Sequence, residues 1–487
     1  MASTTLTSAQ RDRAAGVLLA TAAGDALGAG YEFNAPMPAD RPVGMIGGGL
    51  GPFAPGEWTD DTSMAIAIAE ITAAGADLRS ERALDRIVDR WCGWARTAKD
   101  VGVQTSAVLS AAASADHPAR AARRESEEFY HRRPDRGAGN GALMRTAPVA
   151  LAYLHDGDAL AEAARTISQL THFDPDAGDA CVLWCAAIRH AVLTGEFDVR
   201  IGLGHIDSAR RDLWAGRLDE AEQRRPSEFA DNNGWVVAAL QAAWSAITTT
   251  PVPADDPAAD TFRVDHLRLA LENAVRGGGD TDTVAAIAGG LLGARYGASA
   301  VPADWRIDLK GWPGLNARLL VDMAETIVGA PKPSGRHRAA EYDRPRLPVR
   351  HPHDDGVWLG GVVALRNPPT GVNLPPDVDV AISLCRVDDS EIPGGITHLD
   401  LRIDDKIPHL AFAVLNAVRA VEQARVDGQT VYLHCEHAVD RTPAVAALYG
   451  ARCQGIPVEQ ALTDVVEVLP GAEVPAALRS TLQELAR

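Results

Sequence analysis

Residues 276–297 read RGGGDTDTVAAIAGGLLGARYG: a glycine run, two aspartates and two threonines in adjacent positions, then a helical pattern of small apolar residues. A second stretch, GEWTDDTSMAIAIAE at 56–70, has the same arrangement. Each motif alone reads as a helix N-cap, because Thr, Ser and Asp accept from first-turn N–H groups and complement the helix dipole. Their pairing says more. Gly289, Gly290 and Gly293 permit close helix approach, and carboxylates brought together without a cation are costly in repulsion and desolvation. An all-oxygen donor set of this kind suits Mg²⁺, with Mn²⁺ as a substitute.

Working outward, residues 6 to about 330 keep helical spacing of apolar positions, as in ERALDRIVDRWCGWA, DACVLWCAAIRHAVL and GWVVAALQAAWSAI, and hold no convincing alternating strand. This first half is expected to be all-α. The proline-rich, highly charged stretch that begins at 331 has no periodicity and reads as a linker, placed at 331–349 and compositionally reaching 355. Beyond it, GVWLGGVVAL, VDVAISLC, HLDLRI and TVYLHC read as strands, interleaved with helical AFAVLNAVRAVEQARV, TPAVAALYGARC and PVEQALTDVVEVL. Residues 350–487 therefore form an expected α/β domain. At 487 residues a chain of more than one domain is the natural reading, and no internal repeat relates the halves.

Composition narrows the function classes. A formal charge of −18 repels nucleic acid and anionic membranes, so a polyanion would need a local pocket. Six scattered cysteines in apolar segments indicate reduced core residues of a cytoplasmic protein, with no CxxC or HExxH metal motif. AAGVLLATAAGDALG is too short an apolar run for a membrane span and reads as a first core helix.

In order and spacing, GDALGAGYEF (24–33), GEWTDDTSMAIAIAE (56–70), GAGNGALMRTAPVAL (137–151), THFDPDAGDAC (171–181) and the 276–297 stretch resemble the motifs of the ADP-ribosylglycohydrolases. That resemblance implies an orthogonal all-α fold, a two-magnesium centre and cleavage at C1'' of ADP-ribose. Carried over by position, Thr59, Asp60, Asp61, Asp280, Asp282 and Thr283 become the magnesium ligands. Glu32 matches an acidic position near the reacting ribose and His172 a substrate-contacting histidine; the proton-handling carboxylate is Asp61 or Glu32. Independently, Gly139, Asn140 and Gly141 offer backbone N–H groups for a diphosphate. The substrate implied first is ADP-ribosyl-arginine on protein.

In VYLHCEHAVDRTP (431–443), Cys435 ends a buried-type strand, five residues intervene before Arg441, and a helix starts near Thr442. A thiolate at a helix N-terminus is stabilised, successive N–H groups bind phosphoryl oxygens, and the guanidinium clamps them. The stretch resembles the dual-specificity branch of the protein tyrosine phosphatases. This implies Cys435 as nucleophile, Arg441 as clamp, Thr442 as the hydroxyl assisting thiolate departure, and Asp405 or Asp404 as general acid. Two departures stand out: Ala438 where the family has Gly, and Asp440, a carboxylate inside an anion loop. They leave open a phosphatase, a phosphate-binding module without turnover, or two domains acting on one phosphorylated ADP-ribose compound.

Overall fold

The computed structural model describes residues 5–134, 137–330, 347–366 and 372–486. Contacts divide the chain into two units, and the second is discontinuous in sequence. Met1–Val252, His266–Val301 and Asp308–Ala330 form the first; Pro253–Asp265, Pro302–Ile307 and Pro331–Arg487 form the second.

The first unit is helical, with one two-residue antiparallel ribbon, Lys310–Gly311 against Leu315–Asn316, as its strand content among the described residues. Its axis is an antiparallel pair, helix Ser8–Gly28 against helix Thr281–Tyr296. The apolar run AAGVLLATAAGDALG is this first helix, as expected, buried from Ala14 to Gly28. Small residues set the approach. A Cβ at Gly24 would stand 2.6 Å from the carbonyl carbon of Ala285, and one at Gly28 would stand 2.5 Å from Cα of Asp282. Thr281 Oγ1 donates to Gly28 O (2.9 Å), fixing the register at the end of the pair. The end of one helix thereby meets the start of the other, and the DTDT motif lies against GDALG.

The second unit carries a five-stranded sheet in the order Val349–His351, Asp354–Gly361, Val431–Cys435, Val380–Ser383, Thr397–Asp400. The last four are mutually parallel and the first is an antiparallel edge. The central strand Val431–Cys435 is wholly buried, which explains its unbroken apolar reading. Helices Leu410–Val426, Arg441–Gln454, Val458–Val468 and Ala476–Leu485 complete it. The expected linker lies outside the described residues from 331 to 346, whereas the 349–355 stretch that shares its charged composition forms strand Val349–His351, a turn and the start of strand Asp354–Gly361. Pro348 and Pro352 flank this edge strand and do not interrupt it, so they cost it no ladder hydrogen bond.

Candidate active sites

Neither helix entry in the first unit is capped by its own motif. Thr59 and Asp280 occupy the N-cap positions of helices Asp60–Ala73 and Thr281–Tyr296, and neither side chain makes a capping bond. Helix Asp60–Ala73 is instead capped from outside by Asp25. Its Oδ1 accepts from Thr59 N (2.8 Å) and Thr59 Oγ1 (2.9 Å), and its Oδ2 from Thr62 N (2.9 Å) and Thr62 Oγ1 (2.6 Å). Fully buried Asp25 was missed in the sequence, although an acid alone in the apolar run AAGVLLATAAGDALG was a signal. Burial pushes its carboxyl up to about 6, against the opposing bonds from Thr62 and Thr59.

Two carboxylate trios gather here, Asp25 with Asp61 and Asp282, and Glu32 with Asp280 and Asp282. Asp282 belongs to both. The four bonds on Asp25 occupy its lone-pair positions, so within its trio the oxygens with room for a cation are those of Asp61 and Asp282. Asp61 Oδ1 is buried without a hydrogen-bond partner. Burial, then the charges of Asp25, Asp60 and Asp280, raises Asp61 well above the usual carboxylate range; burial, then Asp61 and Asp280, does the same to Asp282. Thr59 Oγ1 lies 2.9 Å from Asp25 Oδ1, 3.1 Å from Asp61 Oδ2 and 3.4 Å from Asp282 Oδ2. A hydroxyl has one proton. Given to the nearest oxygen, on Asp25, it leaves lone pairs of Thr59 facing two further carboxylates, a repulsive set unless a cation or a carboxyl proton sits among them.

Thr283 is buried beside Asp61, while half-buried Asp60 is in neither trio. Glu32 follows the first helix, where Leu50 N donates to its Oε2 (3.1 Å). Burial pushes Glu32 up to about 7, opposed by that bond and supported by Asp280, Asp100 and Asp25. Its segment is tied to the glycine run by Phe33 N to Gly279 O (2.7 Å) and Gly279 N to Asn34 O (3.0 Å).

In the 139–141 loop, Asn140 differs from expectation. Its backbone N–H donates to Gly234 O (3.0 Å), so at most the N–H groups of Gly139 and Gly141 face a ligand. Its side chain instead donates to Asp280 Oδ2 (2.7 Å) and Asn233 O (3.0 Å), joining the loop to the carboxylate cluster. The ring of buried His172 lies against this loop: a Cβ at Gly139 would be 3.1 Å from Nε2, and one at Gly141 3.0 Å from Cε1.

In the second unit, Cys435 is buried at the end of its strand and Arg441 begins the following helix. Ala438 sits at φ 55°, the left-handed conformation that disfavours a side chain. Asp440 folds into the loop, its Oδ1 accepting from Arg441 N (2.7 Å) and lying 3.4 Å from Cys435 Sγ. Arg441 Nη1 donates to Leu384 O (3.3 Å), and buried Thr442 donates to Gly360 O (3.4 Å), not to the sulfur. Asp404 accepts from Lys406 N (3.0 Å) in a turn and Asp405 is exposed; no hydrogen bond joins either to the loop among the described residues. Beneath the loop, His434 Nε2 lies 2.6 Å from Ser383 Oγ, which is 2.7 Å from His398 Nε2.

The first unit is thus a helical scaffold whose site is built from carboxylates and threonine hydroxyls, and the second an α/β unit with a cysteine–arginine loop. The chain belongs to the ADP-ribosylglycohydrolase family, whose profile matches residues 6–335. It is 32% identical over 306 residues to the ADP-ribosylarginine hydrolase Tri1 of Pseudomonas putida, covering 60% of this chain and 73% of that one. It is 30% identical over 312 residues to the ADP-ribosyl-[dinitrogen reductase] glycohydrolase of Rhodospirillum rubrum, covering 61% and 91%. Among solved structures, an ADP-ribosylglycohydrolase-related protein complex aligns at 28% identity and TM-score 0.49 over 66% of this chain and 99% of that one. A tyrosine-to-histidine variant of human DUSP28 aligns at 22% identity and TM-score 0.26, covering 29% of this chain and 95% of that one. Among the described residues no helix is long and apolar enough to cross a membrane.

Proposed function

We propose that the first unit is a Mg²⁺-dependent hydrolase of the C1'' glycosidic bond in ADP-ribosylated protein, with ADP-ribosyl-arginine as substrate. The observation that carries the reading is the partnerless buried oxygen of Asp61 beside Asp282 and the Thr59 hydroxyl. Asp61, Asp282 and Thr59 would hold one ion, and Asp280, Asp282 and Glu32 a second, with Thr283 and Asp60 adjoining; Mn²⁺ would substitute. The names of the relatives from P. putida and R. rubrum support the substrate class. When bound, such ions polarise sugar hydroxyls and lower the pKa of water.

The chain's own residues supply the rest. Asp25 orients Thr59 and the first turn of its helix. Glu32 and Asp61 are the two candidates for the group that takes or gives a proton at the sugar. Gly139 and Gly141 present N–H groups to the diphosphate. The test is release of ADP-ribose from ADP-ribosyl-arginine with Mg²⁺ and with chelator, in wild type and Asp61→Ala. Release that is lost with chelator and in the variant supports the reading; metal-independent release, or full activity of the variant, refutes it.

A second reading concerns the second unit. The Asp440 carboxylate takes the Arg441 N–H and stands against Cys435 Sγ, which favours a phosphate-ester site of restrained turnover. Hydrolysis of an aryl phosphate that disappears in Cys435→Ser supports catalysis by Cys435. Phosphate binding without hydrolysis makes the unit a binding module.

A further inference from the structure

A second buried chain of polar groups, Arg145, Thr171 and His172, leads to the 139–141 loop. Arg145 is fully buried, with its guanidinium 4.1 Å from the Trp91 ring centroid and no carboxylate partner among the described residues. Its Nη2 donates to Thr171 Oγ1 (2.6 Å), and its Nη1 reaches Met64 Sδ (3.7 Å). Thr171 Oγ1 lies 2.8 Å from Nδ1 of His172. The direction of that last bond follows from proton counting. Arg145 can only donate, so Thr171 Oγ1 accepts from it and still has its own proton to place. Thr171 is fully buried, and Nδ1 is the acceptor in reach of its hydroxyl among the described residues. Were Nδ1 protonated, two donors would converge on Oγ1 and the hydroxyl proton would be buried without an acceptor, which is unfavourable.

We infer that Arg145 and Thr171 are positioning residues that lock His172 as the neutral Nε2–H tautomer, so that it presents a hydrogen-bond donor to an oxygen of the substrate held at the Gly139–Gly141 loop. Nε2 is the ring atom nearest Gly139, and a Cβ at that residue would crowd it. The glycines therefore leave room for the imidazole edge as well as for the ligand. Burial, with the charge of Arg145 second, holds His172 down to about 3, so the ring stays uncharged. An anionic diphosphate would then be met by neutral donors, the loop amides and one imidazole N–H, with the buried guanidinium two bonds behind. The inference rests on the ADP-ribosyl reading of this site.

The test pairs a tautomer readout with binding in the full chain. Long-range proton–nitrogen NMR of the imidazoles, with His172 assigned through His172→Gln, is expected to show Nδ1 unprotonated and Nε2 protonated. Thr171→Val, which removes the hydroxyl, is expected to weaken ADP-ribose binding and raise KM roughly 10- to 100-fold, with kcat changed only a few-fold. Thr171→Ser restores binding and the tautomer. An Nδ1-protonated His172 in wild type overturns the inference even where the glycohydrolase is active, and so does a folded Thr171→Val variant with unchanged ADP-ribose affinity. If wild type neither cleaves ADP-ribosyl-arginine nor binds ADP-ribose, the functional reading fails, and the NMR pattern still decides the tautomer.

Discussion

Gly28→Ala tests the link between helix packing and the carboxylate cluster. Gly28 has an ordinary helical backbone (φ −78°, ψ −30°), so alanine adds no conformational strain. The added methyl would stand 2.5 Å from both N and Cα of Asp282, and backbone cannot rotate out of the way. Relief requires the two helices to part by about 0.5–1 Å, on the scale of overpacking that costs about 1–3 kcal/mol. The displacement falls on Asp282, which both trios share, and a misplacement of about 1 Å can cost roughly 100-fold in turnover. Thermal unfolding, calorimetric Mn²⁺ titration and ADP-ribosyl-arginine turnover measure the three effects. Gly93→Ala is the control: it lies in helix Glu81–Ala95, has no neighbour within 4 Å of an added Cβ, and is expected to be neutral or stabilising by up to about 1 kcal/mol. A Gly28→Ala protein with wild-type melting, metal affinity and turnover would refute the argument.

Three further outcomes are expected. Asp25→Asn keeps the shape but replaces one acceptor oxygen by an NH₂ facing the donors of Thr59 or Thr62; it should destabilise by about 1–3 kcal/mol and weaken Mn²⁺ binding, read by calorimetry. Asp440→Ser removes the carboxylate beside Cys435 Sγ and should raise aryl phosphate hydrolysis about tenfold; unchanged or lower turnover would show that the carboxylate is not restraining the loop. His434, buried and held down to about 3, binds fewer protons folded than unfolded; its stability contribution is present above about pH 6.5 and lost as pH falls towards 3, about 2 kcal/mol by pH 5. Denaturation of wild type and His434→Gln at pH 7 and pH 5 should show a shallower acid loss in the variant.

Features that depend on neighbours along the chain were legible in the sequence. Glycine spacing in 276–297 announced a close helix pair, and the shift from helical period to short Val- and Ile-rich runs announced the second unit. Asp25 and Arg145 were not read because each is a charge alone in an apolar run, and its partners lie tens of residues away: Thr59 and Thr62 for one, Thr171 for the other. Asn140 was read for its backbone when its side chain, through Asp280, does the joining. Nothing local announces that its amide N–H is already spent on Gly234. The edge strand Val349–His351 was hidden because it is three residues long and flanked by Pro348 and Pro352, too short to show a period.

The discontinuity of the second unit governs how the protein can be dissected. Phe262 packs edge-on against Phe412 with centroids 5.7 Å apart, Asn416 Oδ1 accepts from Ala303 N (3.0 Å), and Asp260 receives Arg452 (3.1 Å). All belong to the second unit, yet three of these residues precede position 330. A scissor cut at the proline-rich stretch therefore does not yield two whole pieces. The C-terminal fragment would lack part of its own packing, and the N-terminal fragment would carry Phe262 and Ala303 as orphaned stubs. Failure of such fragments to fold would reflect where the cut was made, and the roles of the two units are better separated by silencing one site at a time in the intact chain.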